Sequence, residues 1–98
     1  MKWHDSKTGY TKILEVEHNF PHQTVMRPPG GGKGLVNVVD GVPQPHACVT
    51  DVTKYDDVWQ VTVGDGYFMI TLRDPKRWSY VMGDIGLVIA RHINQEKI

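Results

Sequence analysis

The chain is 98 residues long, enough for a single hydrophobic core and too short for two. Eleven Lys and Arg offset eleven Asp and Glu, so no net field draws it to nucleic acid or to an anionic membrane. One cysteine, Cys48, excludes an intrachain disulfide and a multi-cysteine zinc site, and a polar opening "MKWHDSKTGY" without any long apolar run points to a soluble, cytoplasmic protein.

In chain order, "YTKILEVEHNF" alternates Lys12, Leu14 and Val16 against Ile13 and Glu15, which reads as a strand stopped by Pro21, with a helix as the rival reading. "RPPGGGKG" invites comparison with a phosphate-binding loop. Lys33, however, is followed by Gly34 rather than Ser or Thr, and a strand-like run follows where a helix is required, so the stretch reads as a connection between strands. Its functional reading is a flexible loop in which Arg27 and Lys33 close over an anionic ligand or a partner surface. "GLVNVVDG" and "HACVTDVT" add two short β-branched runs.

The second half carries the clearest pattern. "VWQVTV" places Trp59, Val61 and Val63 on one face, "GDG" marks a turn, and "YFMITL" alternates again until Pro75 interrupts it. "RWSYVM" sets Trp78, Tyr80 and Met82 on one side of a strand, "GDIG" reads as another turn, and "LVIARHI" returns. The expectation is an all-β domain over 1–98: an antiparallel barrel or sandwich of about seven short strands, ending in a four-stranded meander.

"GYFMITLRDPKRWSYVMGDIGLVIARHI", the last third of the chain, resembles the closing strands of lipocalins, with an aromatic-led strand and then "L-x-I-x-R". The resemblance implies a reduced ligand-binding β-barrel, with Arg91 in the place of the arginine that packs on a first-strand tryptophan, here Trp3.

Motifs for chemistry are sparse. His18 and His22 have helical metal spacing, but Pro21 lies between them, so they read as a solvated turn. His46 and Cys48 would share a strand face; packing is the first reading, a metal ligand pair or a base with its nucleophile the second. His4 and His92 have no suggestive neighbours, and "KYDD" reads as a polar corner. No catalytic constellation, metal site or cofactor is expected, which places an enzyme third. The first reading is an interaction module that presents an aromatic β-face or an edge strand to another protein or a second copy of itself. The alternative is the lipocalin-like barrel holding a small apolar or anionic ligand. For either, the candidate contact residues are Trp59, Tyr67, Met69, Trp78, Tyr80 and Arg91.

Overall fold

The computed structural model describes residues 1–26, 36–38 and 46–96. Strands β1 (Lys2–Asp5), β2 (Thr11–Met26) and β3 (Val36–Val38) are followed by helix α1 (Ala47–Thr53), strand β4 (Val58–Leu72) and helix α2 (Trp78–Glu96). All strand pairs are antiparallel. β4 runs along one flank of β2, while β1 and β3 pair with the first and last parts of its other flank. At any level the sheet is three strands across, and it is open.

This overturns the all-β barrel or sandwich of about seven strands and its C-terminal four-stranded meander. "HACVTDVT", "RWSYVM" and "LVIARHI" are helical. In α2 the buried side chains Trp78, Val81, Ile85, Ile89 and Ile93 recur every three or four positions, with Gly86 buried beside them, so a helical stripe, not a two-residue alternation, meets the core. The "GDIG" glycines do not turn the chain: Gly86 lies under the Trp3 indole and Gly83 faces open space. "DPK" starts the helical segment, as Asp74 Oδ1 accepts from Lys76 N at 2.9 Å and Pro75 opens a 3₁₀ turn that runs into α2. In α1 the β-branched residues are overruled by tertiary burial of Cys48, Val49 and Val52 on the sheet side.

"VWQVTVGDGYFMITL" is one strand, with "GDG" as a bend within it and not a hairpin turn. Fifteen residues at about 3.3 Å each would span about 50 Å, more than the molecule's longest extent of 39 Å. Instead Arg73 N, just past the end of β4, donates to Asp57 O, just before its start, at 2.9 Å. Gly66 makes the bend with φ +83°, a left-handed conformation that costs other residues a Cβ clash.

β2 follows the same curve by lengthening. From Glu15 to Asn19 it advances four residues while β4 moves two, from Tyr67 to Asp65; from Asn19 to Gln23 it again advances four against two, Asp65 to Val63. These bulges explain why Pro21 does not end the strand: it sits where the ladder is already interrupted and no amide donor is needed. They also turn Phe20 into the core, where it packs edge-on against Phe68 at 4.8 Å between ring centroids.

The residues that carry the lipocalin resemblance thus form the second arm of β4 and α2. Trp3 packs edge-on against Trp78 at 5.6 Å, and Arg91 lies elsewhere, on the exposed side of α2 beside α1. None of the described helices is long and apolar enough to cross a membrane.

Candidate functional site

Two arrangements stand out, near opposite ends of α2. The first joins the β2 bulge, the start of α1 and the last turns of α2. His46 precedes α1 and caps it with its ring, Nδ1 accepting from Cys48 N at 3.0 Å. Because that nitrogen accepts, it carries no proton, and the hydrogen-bond pattern assigns the N–H to Nε2. Nε2 lies 2.7 Å from Glu96 Oε1, and the other carboxylate oxygen lies 2.5 Å from His18 Nε2. One turn before Glu96, His92 Nε2 contacts Asp51 Oδ2 at 2.7 Å, while Asp51 Oδ1 accepts from Lys54 Nζ at 2.9 Å. The Lys54 ammonium, and after it the His92 ring, hold the Asp51 carboxyl below the usual carboxylate range.

Phe20 lies beneath this cluster, edge-on to His18 at 4.6 Å and to His46 at 5.1 Å. The backbone N of His46 donates to Gln23 Oε1 at 2.9 Å, tying the entry of α1 to β2. The buried Gln23 Nε2 has no acceptor among the described residues.

This chemistry makes a clamp and not a reactive centre. A metal on His46 Nε2 would have to displace its proton while Nδ1 goes on accepting, which would require an imidazolate; metal-bound histidines instead donate from the other nitrogen. Among the described residues, no three His, Cys, Asp or Glu side chains are placed to hold one ion. Cys48 is fully buried, and burial, followed by the Glu96 and Asp51 carboxylates, pushes its thiol up to about 12. That keeps it protonated and poorly nucleophilic at neutral pH. Of the two readings for His46 and Cys48, the geometry supports packing: they are joined through ring and backbone as a helix cap, with the sulfur in the core. Between α1 and α2 the clamp opens onto a cleft of about 430 Å³ lined by Asp51, His92, Lys54, Tyr55 and Arg91.

The second arrangement is apolar. Where β4 folds back, Trp59 at its start, Thr71 near its end and Arg73 just past it share an open groove of about 450 Å³ with Thr11, the first residue of β2, and Tyr10 before it. Tyr10 is 48% exposed and Trp59 39%. The floor is held firmly. Tyr10 O accepts from both Leu72 N, at 2.9 Å, and Trp78 Nε1, at 3.0 Å, and the Thr11 and Thr71 hydroxyls pair at 2.8 Å. The Arg73 guanidinium has no carboxylate partner among the described residues.

The contact residues expected from the sequence are not gathered into one site. Trp59 is in the groove. Tyr67 and Met69 are half-buried on the outer face of the sheet, opposite Glu15 and Ile13. Trp78, 4% exposed, is core, whereas Tyr80 is 69% exposed, since positions two apart lie on opposite sides of a helix and not on one strand face. Arg91 lines the cleft. Arg27 and Lys33 lie outside the described residues. Sequence reasoning missed Tyr10 and the whole clamp. The available signal was "HINQE", where His92 and Glu96 share a helix face four apart, and it appears only once 78–96 is read as helix.

No family model, curated protein or solved structure matches the chain.

Proposed function

We propose that the protein is an interaction module that grips an extended segment of a partner protein in the Tyr10–Trp59 groove. The observation that carries this reading is the pair of exposed aromatic side chains on a rigidly hydrogen-bonded floor, since aromatics fixed in place offer large apolar area at little entropic cost. The groove is open, which favours a chain segment over a small molecule that must bury most of its surface to bind well. Arg73, without an acidic partner among the described residues, selects a segment that carries Asp or Glu beside an apolar residue.

A random peptide library displayed on phage, panned against the intact chain, tests this reading. Peptides with an apolar residue next to an acidic one should be enriched, and Trp59→Ala should weaken their binding by about 2 kcal/mol, roughly thirtyfold. Arg73→Glu should reverse the charge preference. Selected peptides that bind Trp59→Ala and Tyr10→Ala as well as the parent would overturn the proposal.

A further inference from the structure

The cleft between the two helices holds a cation that the clamp does not use. Its α2 wall is made by Val88, Arg91, His92 and Gln95, which follow one another at three- and four-residue steps and so lie on one face of the helix. The α1 wall is Asp51 with Lys54 and Tyr55, and the 2.7 Å contact between His92 Nε2 and Asp51 Oδ2 ties the two walls together. Both oxygens of Asp51 are engaged, Oδ2 by His92 and Oδ1 by Lys54. Glu96, one position past Gln95, directs its carboxylate at His18 and His46 instead. Arg91, by contrast, is exposed and has neither a hydrogen bond nor an ion pair among the described residues, and the Gln95 amide is likewise unpartnered among them.

Charge and shape select the class of ligand. With the imidazole neutral, one ammonium and one guanidinium face one carboxylate, and among the described residues no other acidic side chain lines the cleft, so a single net positive charge is left there. That balance suits a monoanion. A phosphate dianion calls for further cations or for the amide end of a helix, whereas the cleft meets the carbonyl end of α1, where Lys54 is the C-cap. The planar fork of Arg91 matches a carboxylate, whose two oxygens accept two parallel N–H bonds. Tyr55 and Val88 are half-buried against the core and give the cleft an apolar side on which a flat ring can lie. The cleft volume of about 430 Å³ falls in the range of small-molecule sites.

We propose that the cleft between α1 and α2 binds a small aromatic carboxylate, with its carboxylate on the Arg91 guanidinium beside the Gln95 amide and its ring against Tyr55 and Val88. The ligand bridges the two helices next to the clamp and stabilises the folded chain by mass action. The inference is independent of the Tyr10–Trp59 groove, which uses none of these residues.

Sodium benzoate is the probe, titrated into the isotope-labelled full chain and followed by amide chemical shifts. The expected result is a set of saturable shifts centred on Tyr55, Val88, Arg91 and Gln95, with a dissociation constant of about 1 mM or tighter. Benzamide keeps the ring without the charge and acetate keeps the charge without the ring; each, like inorganic phosphate, should bind at least roughly tenfold more weakly. Arg91→Gln should weaken benzoate binding at least roughly tenfold while leaving the melting temperature of the unliganded chain unchanged, and Arg91→Lys should recover only part of the loss. Arg73→Gln alters the other guanidinium that lacks a carboxylate partner among the described residues, and it should leave benzoate binding intact. The proposal is overturned by the absence of a saturable shift up to about 10 mM benzoate, or by shifts centred on Tyr10, Trp59 and Arg73. Undiminished binding to Arg91→Gln, or benzamide or phosphate binding as tightly as benzoate, overturns it as well. Peptide capture by Trp59 is unaffected in each case, so failure here is separable from failure of the groove.

Discussion

The clamp and the groove lie near the two ends of α2, about 28 Å apart at 1.5 Å per residue, and they use polar atoms in opposite ways. In the clamp, three imidazoles and two carboxylates satisfy one another and bind three separate chain segments. Around the groove, backbone and hydroxyl groups are consumed in fixing the floor, and aromatic surface and one guanidinium are left without partners among the described residues. The first arrangement ties the fold together; the second leaves Tyr10 and Trp59 exposed. Here, the groups with the richest chemistry are those most completely committed to structure.

Substitutions can break or sharpen that contrast. The largest effect is expected at Phe20, buried under the clamp against His18, His46 and Phe68: Phe20→Ala should cost about 3–5 kcal/mol in urea denaturation. A loss below about 1 kcal/mol would mean that the bulge is not anchored there.

Next comes the Cys48 thiol. Its folded value of about 12 lies above the ordinary value of 9.0 expected in the unfolded chain, so the folded state favours the neutral thiol. The associated stability is fully present below pH 9 and is lost as pH rises through the window from 9 to 12. Alkaline titration followed by circular dichroism should show this loss, and Cys48→Ala should flatten it. The native thiol should also resist iodoacetamide at pH 8 and react once the chain is unfolded in urea.

His46→Ala removes a helix cap and the donor to Glu96, and should cost about 1–2 kcal/mol by thermal melting. His22, exposed and 3.7 Å from Asp65, serves as the control: His22→Ala should change stability by less than about 0.5 kcal/mol. Equal losses at the two histidines would erase the distinction between clamp and surface. The smallest effect on stability is expected in the groove, where Trp59→Ala should cost less than about 1 kcal/mol, far less than Phe20→Ala although it deletes a larger side chain.

Parts of this architecture were legible in the residues. The alternation of Val61, Val63, Phe68 and Ile70 identifies buried strand positions because side chains two apart share a face whatever the strand pairs with. The start of β2 followed the same rule. "GDG" reads as a turn in the sequence and is a bend in the structure, because Gly66 suits both: only the neighbouring β2, lengthened by two bulges, makes the two arms of β4 pair with it instead of with each other. The helices were misread for a related reason. "RWSYVM" and "LVIARHI" have apolar residues that satisfy either period when each is cut off at a glycine, and the helical stripe emerges only when 78–96 is taken whole.

Beyond the His92 and Glu96 spacing, the clamp could not be read from the sequence. His18, His46 and Glu96 are far apart in the chain, and hydrogen bonding depends on distances that local pattern does not encode. What the sequence by itself determined is local: which positions shun water, where proline and glycine permit the backbone to turn, and that one cysteine cannot cross-link the chain. What only the tertiary structure decided is which of these local options were taken and which side chains they brought together. The physical reason is that a β-branched run such as "ACVTDVT" differs between helix and strand by tenths of a kcal/mol per residue, whereas burying its Val49 and Val52 against β4 is worth about 1.5–3 kcal/mol each.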